Sequence, residues 1–481
     1  MRVLEGLQPS SVLYYFEEIC NIPHISYHEK ELSDYCAKFA EERNLFYQQD
    51  ELGNVLIIKE ATEGYEDVEP VIIQGHLDMV GDKLPDCPIN METEPIQIKV
   101  EGDYITAEGT TLGGDDGIAV AYGLALLDAK DIPHPRLEVV LTVSEEVGLI
   151  GATAMDLSAC KGRRLINIDS ELEGILTAGC AGGVRVQSMI PVERESMKGI
   201  SCEVFFEGLK GGHSGIEINS GLANANVLLG RFLQMLKEKT DYGLAELGGG
   251  VKDNVIPKNA KAVVILAEDQ LDQLKETAAE FNLQFDAEYG VTEKEGLLKA
   301  AAGSETEVQV LEEDSLEKVL VALNAMPNGV QAMSMDLPGL VETSLNMGTV
   351  ELKDDMLDVG FSIRSSVVSA KENTVRKVEL LTKALGGSVS RAGDYPAWPY
   401  ARTSSLRDLC VEIYKKQTGK EMKVEVIHAG LECGILSSKL EGLDCISIGP
   451  DMVAIHSPNE KLSISSVARV WEYLKEVLAA K

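Results

Sequence analysis

Short, strongly apolar segments alternate with helical segments in the first part of the chain. The apolar segments include NVLIIKE, VEPVIIQGH, RLEVVLTVSEE and RRLINIDSE, which have the length and composition of β-strands. The segment DDGIAVAYGLALLDA, between the second and the third of them, is typical of a helix opened by aspartates. Strands that alternate with helices in this way predict an α/β sheet of mixed strand direction that is covered on both faces.

The pattern changes after about Val184. From there to about Tyr395, amphipathic strands such as MLDVGFSIRSS alternate with long helices such as LANANVLLGRFLQMLKEKT, and the rest of the chain returns to apolar strands, glycine-rich turns and helices. A chain of 481 residues exceeds the usual size of one domain. The simplest architecture is a discontinuous α/β domain, residues 1–185 and 395–481, with a second domain inserted as residues 186–394.

The composition argues against several classes of function. Acidic residues number 78 and basic residues 44, and the net charge of −34 repels nucleic acids and anionic membranes. The nine cysteines are scattered and form no C-x-x-C pair, which argues against a disulfide framework and a thiolate zinc site. No run of about eighteen apolar residues and no signal-peptide core is present, so we expect a cytoplasmic protein.

Polar side chains follow the apolar segments where the strands should end. His76 and Asp78 lie two residues apart, so they share one face of an extended chain. The other such positions are Asp115 and Asp116 in TLGGDDG, Glu145 and Glu146 in LTVSEEVG, Asp169 in LINIDSE and His456 in MVAIHSPNE. Loops beyond the carboxyl ends of strands build the ligand site of an α/β sheet, so these residues can converge.

Each of these side chains also has an ordinary structural interpretation. His76 can be a buried, hydrogen-bonded histidine beside Asp78, Asp115 and Asp116 can cap a helix, and the remaining acids can be solvated turn residues. Their repeated occurrence at separate strand ends favours a common site. Histidines and carboxylates together form a mixed nitrogen and oxygen ligand set that suits zinc, cobalt or manganese and not calcium. One carboxylate that bridges two metals would complete a co-catalytic pair.

The motifs GHLD, GGDDG, SEEVG, NIDSE, GGHSG and IHSPNE resemble, in this order, those of the co-catalytic zinc metallopeptidases of the aminoacylase and carboxypeptidase type. The longer strings QGHLDMV, TLGGDDGI, GLKGGHSG, HAGLECGIL and HSPNEKLSISS are most similar to the branch of aminoacyl-histidine dipeptidases, also called peptidase D or Xaa-His dipeptidases. The resemblance extends over essentially the whole chain. It implies a mixed-sheet zinc-peptidase catalytic domain with an inserted α+β lid domain.

The resemblance also implies roles for individual residues. The implied ligands form two metal sites that share one bridging carboxylate: His76, Asp115 and Asp169 in one site, and Asp115, Glu146 and His456 in the other. Asp78 would orient His76, Glu145 would be the general base, and Asp116 would only open a helix. An aspartate at position 169 is typical of the dipeptidase and aminopeptidase branches.

Three further residues are candidates for contacts with the substrate. The resemblance implies that His213, in GLKGGHSG, donates a hydrogen bond to the oxyanion, although glycines beside a histidine also serve a simple turn. Arg364, in FSIRSS, could bind the substrate carboxylate with its planar fork, or could be an exposed arginine on a strand. Gly430 lies in the glycine-rich HAGLECG, which can form a substrate-contacting loop, while His428 and Glu432 receive no predicted role.

The predicted reaction is amide hydrolysis by a hydroxide that bridges two divalent metal ions, with Glu145 as the proton carrier. Zinc is the expected metal, with cobalt and manganese as alternatives. The main hypothesis is a dipeptidase that cleaves unsubstituted dipeptides, including those of the β-alanyl-histidine type. The alternatives are an N-acyl amino acid deacylase on the same scaffold and a non-catalytic metal-binding protein. The expected partner is a small peptide substrate, and a homodimer is compatible with the resemblance.

Overall fold

The computed structural model describes residues 2–481, which separate into two compact units. The first unit runs to Cys180 and also contains residues 398–426 and 431–481. The second unit consists of residues 181–397 and 427–430. The short segment 427–430 therefore groups with the second unit, whereas the sequence pattern placed the whole of 395–481 in the first domain.

Up to Cys180 the elements in chain order are α1 (Ser10–Cys20), α2 (Lys30–Glu42), β1 (Phe46–Gln49), β2 (Val55–Lys59), β3 (Val71–His76), β4 (Ile98–Glu101), β5 (Tyr104–Ala107), α3 (Gly114–Asp128), β6 (Leu137–Thr142), α4 (Ile150–Ala154), β7 (Arg164–Asn167) and β8 (Ile175–Cys180).

The elements of the second unit are β9 (Gly182–Pro191), β10 (Arg194–Glu207), β11 (Gly212–His213), α5 (Ala225–Lys237), β12 (Gly243–Gly249), β13 (Val255–Ile256), β14 (Ala260–Leu266), α6 (Leu271–Tyr289), β15 (Leu297–Leu311), α7 (Glu313–Ala325), β16 (Gly329–Met333), β17 (Val341–Leu352), β18 (Met356–Ser365), α8 (Val368–Ala384) and β19 (Ser388–Tyr395).

The chain ends with α9 (Ser405–Thr418), β20 (Lys423–Ile427), α10 (Glu432–Lys439), β21 (Asp444–Ser447), β22 (Met452–Val453), β23 (Lys461–Ser463) and α11 (Ile464–Ala479).

The first unit is built on an eight-stranded sheet in the order β1-β2-β6-β3-β7-β21-β8-β20. The central strands β6, β3, β7 and β21 run parallel, and antiparallel strands lie outside them. Every residue of β3 and β6 is buried, as expected for strands that are covered on both faces. Helix α3 is buried from Gly114 to Leu127, which explains why its sequence is apolar all round. The predicted mixed α/β sheet is confirmed.

The second unit contains a nine-stranded antiparallel sheet, in which β15-β10-β14-β12-β17-β18-β9-β19 are consecutive neighbours and β16 pairs with β17. Its core includes Phe206, Phe232 and Phe281, whose rings meet edge to face. These rings belong to β10, α5 and α6, so the helices and the sheet bury their apolar side chains in one core. The predicted α+β character of the inserted segment agrees with this architecture.

A four-stranded antiparallel sheet, β22-β23-β5-β4, completes the first unit. The turn between β22 and β23 carries residues 454–460, which include His456 and Glu460. Within residues 2–481, no helix has both the length and the apolar character needed to cross a bilayer.

Candidate active site

Three neighbouring strands of the first unit end at one edge of the sheet. His76 is the last residue of β3, and it pairs in register with Thr142, the last residue of β6. On the other side of β3, strand β7 ends at Asn167. Because these strands are parallel, the segments that follow them, with Glu145 and Asp169, begin at the same edge. The topology therefore explains why residues far apart in sequence meet.

Asp115 lies between the two predicted histidine ligands. Its Oδ1 is 3.1 Å from Nε2 of His76, and its Oδ2 is 3.1 Å from Nε2 of His456. Asp169 Oδ1 lies 3.6 Å from the same nitrogen of His76, and Glu146 Oε1 lies 2.8 Å from that of His456. Each oxygen of Asp115 thus lies near a different histidine, and each histidine also lies near a second carboxylate. All five predicted ligands are brought together.

The donor atoms of this centre are close enough to hold cations. Three groups of residues each offer ligand atoms within 4.8 Å of one another: Asp115, Glu146 and His456; His76, Asp116 and Asp169; and His76, Glu145 and Glu146. Oε1 of Glu146 is buried and forms no hydrogen bond within residues 2–481, although it lies 2.8 Å from Nε2 of His456. An orphaned carboxylate oxygen that points at a shared space fits a metal ligand, and the mixed nitrogen and oxygen donors fit zinc-type ions.

Asp116 has a more specific environment than that of a helix-opening residue. It is fully buried, its Oδ2 accepts the backbone N–H of His76 at 3.2 Å, and its Oδ1 has no hydrogen-bond partner in the described chain. Asp115 and Asp116 both depart from helical backbone angles within α3. A Cβ at position 75 would lie 2.7 Å from Asp116 Oδ2, so Gly75 is needed for this close approach. The structure therefore adds Asp116 to the immediate surroundings of His76.

The centre is strongly negative. Burial opposes a charged imidazole at His76, but the hydrogen bond with Asp115 and the nearby carboxylate of Asp169 outweigh it and hold the pKa of His76 well above its usual value. The hydrogen bond with Asp115 and the adjacent carboxylate of Glu146 raise the pKa of His456 to about 11. Burial raises the pKa of the Asp169 carboxyl to about 7. Both shifts on the histidines reflect the same cause, a cluster of carboxylates that favours positive charge.

Both the backbone carbonyl and the carboxylate of Asp78 lie near the ring of His76. The backbone carbonyl oxygen of Asp78 lies 2.9 Å from Nδ1 of His76, whereas its carboxylate Oδ1 lies 3.6 Å from that nitrogen. Only the shorter distance is that of a hydrogen bond. The carbonyl group therefore fixes the ring, and it leaves Nε2 of His76 free to face Asp115.

A buried polar network lies one pleat behind the ligands and was not predicted from the sequence. The Nδ2 group of Asn167 donates to Gln74 Oε1 at 2.7 Å, and the Nε2 group of Gln74 donates to Glu432 Oε2 at 2.6 Å. The same oxygen of Glu432 accepts the hydroxyl of Thr142 at 2.7 Å. These four side chains are fully buried and connect β7, β3, α10 and β6. The sequence did contain a sign of this network, because a glutamine and an asparagine are unusual inside apolar strands.

The N-terminal segment supplies a second unpredicted contact. Glu29 Oε1 accepts both the backbone N–H of Ser144, at 2.9 Å, and its hydroxyl, at 2.8 Å. Ser144 has a left-handed backbone conformation, with φ of 53°, immediately before the two glutamates. Glu29 therefore holds an unfavourable turn that aims Glu145 and Glu146 at the centre.

The candidate substrate residues lie together in the second unit. Arg364, on β18, is 8% exposed, and its Nη1 donates to the Tyr395 hydroxyl at 3.0 Å. Its Nη2 lies 3.4 Å from Nε2 of His213, and its Nε has no hydrogen-bond partner in the described chain. A Cβ at position 430 would lie 2.8 Å from the Tyr395 ring, so Gly430 packs beside the same tyrosine. The three predicted residues, His213, Arg364 and Gly430, therefore lie close together around the side chain of Tyr395.

His428 completes this group. Its Nε2 lies 2.7 Å from the hydroxyl of Ser344, and its carbonyl oxygen would be 2.4 Å from a Cβ at position 215. Gly215 therefore allows the segment that carries His428 to approach the loop after His213. Burial, followed by the charge of Arg364, lowers the pKa of His428 to about 4.

Comparison with known proteins adds independent information. A sequence profile described as the peptidase dimerisation domain of the M20 group matches residues 206–293. The cytosol non-specific dipeptidase of Escherichia coli (strain K12) is 38% identical over 483 aligned positions, which cover 99% of each chain.

Solved structures agree with this relationship. The crystal structure of aminoacylhistidine dipeptidase from Vibrio alginolyticus matches with a TM-score of 0.92 and 36% identity, over 99% of this chain and 97% of that one. Aminopeptidase PepT from Bacillus cereus, at 15% identity and a TM-score of 0.57 over 98% of each chain, shares the fold. The resemblance seen in the sequence motifs is therefore confirmed, and the chain belongs to the M20 peptidase family.

Proposed function

We propose that this chain is a metal-dependent dipeptidase that hydrolyses the peptide bond of unsubstituted dipeptides. The observation that carries the proposal is the position of Asp115, which presents one oxygen to His76 and the other to His456. Relatives that match over nearly the whole chain are named as a non-specific dipeptidase and an aminoacylhistidine dipeptidase. Those names favour dipeptides, including Xaa-His, over the N-acyl amino acids of the deacylase alternative.

Two divalent ions, zinc first and cobalt or manganese as alternatives, would occupy the centre. His76, Asp115 and Asp169 would hold one ion, and Asp115, Glu146 and His456 the other. The orphaned oxygen of Glu146 supports this assignment. When bound, such ions supply Lewis acidity, which polarises the scissile carbonyl and makes water a stronger nucleophile.

Glu145 would act as the general base. Burial raises the pKa of the Glu145 carboxyl well above its usual value, which favours its taking a proton from water and passing it to the departing amine. Asp78 would position this residue and His76. A non-catalytic metal-binding protein would not require an uncommitted carboxylate beside its ligands, which favours the enzyme.

His213 and Arg364 would contact the substrate. Nδ1 of His213 accepts the backbone N–H of Ile216 at 3.2 Å, so the proton of the neutral ring would lie on Nε2. Nε2 and the Nη2 donor of Arg364, which lie 3.4 Å apart, would then both face an oxyanion as donors. The unpartnered Nε of buried Arg364 supports a role in binding the substrate carboxylate. Gly430 would keep the neighbouring Tyr395 in place and leave room for the peptide.

The peptidase dimerisation profile over residues 206–293 supports a homodimer. A cytosolic relative supports a cytoplasmic location. Neither feature requires a nucleic acid or a membrane as a partner.

The test is a hydrolysis panel on the full-length protein with its metal content measured in parallel. The panel contains free dipeptides with and without C-terminal histidine, the same dipeptides with an acetylated N-terminus, and acetylated amino acids. We expect turnover of the free dipeptides, loss of turnover after a chelator, and recovery with zinc, cobalt or manganese. Faster cleavage of acetylated amino acids would favour the deacylase, and metal binding without any turnover would contradict both enzymes.

A further inference from the structure

Glu460 is a buried carboxylate that the chemistry described above does not use. It lies in the turn between β22 and β23, four residues after His456, and is 3% exposed. Its two oxygens accept four consecutive backbone N–H groups, those of Leu112 (2.7 Å), Gly113 (3.1 Å), Gly114 (2.8 Å) and Asp115 (3.3 Å). No lysine, arginine or histidine among residues 2–481 forms an ion pair with it, so backbone amides alone compensate its charge.

The first two glycines of GGDDG make this arrangement possible. Gly113 has a left-handed conformation, with φ of 73°, and a Cβ there would lie 2.7 Å from the sulfur of Met79. A Cβ on Gly114 would lie 3.1 Å from Oε1 of Glu460, which is tighter than an ordinary contact. Side chains at either position would therefore disturb the loop or displace the carboxylate.

The consequence concerns two ligands that are distant in sequence. Asp115 follows the loop that Glu460 holds, and His456 belongs to the same short turn as Glu460. One carboxylate therefore ties the backbone of the bridging residue to the segment that presents the second histidine. The 3.1 Å distance between Asp115 Oδ2 and His456 Nε2 depends on how these two segments are joined.

We propose that Glu460 is a positioning residue, which fixes the carboxylate of Asp115 relative to the imidazole of His456 and thereby sets the affinity for the metal pair. This inference rests on the proposed metal site. Four convergent N–H groups in the loop that leads into α3 offset part of the cost of burying this carboxylate. An amide in the same place keeps one acceptor oxygen, but its NH₂ group faces N–H donors and cannot bond to them.

The test compares Glu460→Gln with Glu138→Gln in the full chain. Glu138 is the control because it is also fully buried and accepts the backbone N–H groups of Lys161 at 2.9 Å and Gly162 at 3.0 Å. It differs from Glu460 in one respect, since it also accepts Nε of Arg136 at 2.8 Å. It lies near the start of β6, at the end opposite to the metal centre. Metal is removed with a chelator, and Zn²⁺ is titrated back against a competing indicator.

We expect Glu460→Gln to weaken Zn²⁺ binding by about 10–100-fold, the usual effect of removing a group that orients ligands. Glu138→Gln should lower the melting temperature of the metal-free protein and leave Zn²⁺ affinity unchanged. The rise in melting temperature on adding Zn²⁺ should accordingly be smaller in Glu460→Gln alone. Unchanged Zn²⁺ affinity in this variant would overturn the inference, whereas absence of Zn²⁺ binding by the wild type would instead contradict the proposed function.

A second variant covers the case in which Glu460→Gln does not fold. Glu460→Asp keeps the charge but withdraws the oxygens by one methylene, so it cannot reach all four N–H groups. Its Zn²⁺ affinity should lie between those of the wild type and Glu460→Gln. Wild-type affinity in Glu460→Asp would overturn the inference in the same way.

Discussion

The carboxylate of Asp78 accepts a hydrogen bond from the backbone N–H of Glu145 at 2.9 Å. Its other oxygen accepts the backbone N–H of Glu146 at 3.2 Å and the hydroxyl of Ser26 at 2.8 Å. The backbone carbonyl of Asp78 is the group that meets the ring of His76. One residue therefore positions a histidine through its main chain and two glutamates through its side chain.

We expect Asp78→Asn to lower turnover by about 10–100-fold, since groups that orient ligands and bases have effects of this size. The new amide nitrogen would face an N–H donor of Glu145 or Glu146 and could not accept a hydrogen bond. Ser26→Ala is the matched control, because it removes only one donor to the same carboxylate. Steady-state kinetics on a free dipeptide distinguish the two. A larger loss in Ser26→Ala would assign the effect to the serine instead.

Substitutions of Glu145 and Glu146 should affect metal content and turnover differently, although the two residues are adjacent. Glu145→Gln should retain about two zinc ions per chain and lose about 10²–10⁴-fold in turnover, because an amide cannot carry the proton. Glu146→Gln should bind less zinc than Glu145→Gln, because a carboxylate ligand is replaced by a neutral amide. Elemental analysis and kinetics on the same samples check both results. Equal loss of metal in the two variants would contradict this division of roles.

Arg364→Lys should raise KM for a dipeptide by about 10–100-fold with little change in kcat. This is the cost expected when a charge-assisted hydrogen bond made equally in the ground state and the transition state is lost. Tyr395→Phe removes only the hydroxyl that accepts from Nη1 and serves as the control. A dipeptide amide, which lacks the carboxylate, should be a poor substrate of the wild type, and its KM should not rise further in Arg364→Lys. An equal rise for both substrates would remove Arg364 from carboxylate binding.

Much of the candidate site could be predicted because ligand types at strand ends form a pattern that the sequence displays. His76, Asp115 and His456 stand in short motifs, and the parallel topology of β6, β3 and β7 brings the strand ends together. The groups that hold them were harder to foresee. Ser26 and Glu29 have the spacing of a capping box, yet their side chains bond to Asp78 and Ser144.

These supporting groups are hard to predict from the sequence because their hydrogen-bond partners are distant. Glu29, Glu432 and Glu460 bond to backbone groups or side chains more than a hundred residues away. Local propensity carries no information about such partners. Gly113 and Gly114 show the same limit, because their need for small size depends on Met79 and Glu460. The position of Asp116 in GGDDG predicts only a helix start, whereas its hydrogen bond with the backbone N–H of His76 depends on the fold.

His428 should make stability depend on pH in a defined window. Its pKa falls from the usual 6.5 to about 4 in the folded protein, first through burial and then through the charges of Arg364 and His213. Between these values the unfolded chain binds a proton that the folded chain does not, so stability is lost as the pH falls from about 6.5 to about 4. The full loss is about 3 kcal/mol.

His428→Gln should remove this component, because glutamine can still reach the hydroxyl of Ser344 and does not titrate. Thermal unfolding of both proteins across this pH range gives the measurement. The two melting temperatures should differ by a constant amount above pH 7 and change relative to each other below pH 6.5. Parallel curves throughout the range would contradict the assignment.

His213→Ala should lower turnover by about 10²–10³-fold, the usual cost of removing an oxyanion donor. Zinc content and melting temperature should stay close to those of the wild type, because the imidazole is only half-buried and belongs to the second unit. His28→Ala is the matched control, since it removes an exposed imidazole from the first unit. Unimpaired turnover in His213→Ala would return this residue to the alternative interpretation, a histidine in a glycine-rich turn.

Mixing variants determines which chain the donor serves if the protein is a homodimer. His213→Ala retains the base Glu145, and Glu145→Gln retains the donor His213, so each homodimer should be inactive. After subunit exchange, a donor that acts on the partner chain restores one complete site in every mixed dimer. A donor that acts on its own chain restores none, because neither chain then has both residues. Activity that rises with the fraction of mixed dimers therefore assigns His213 to the partner's site, and a flat baseline assigns it to its own.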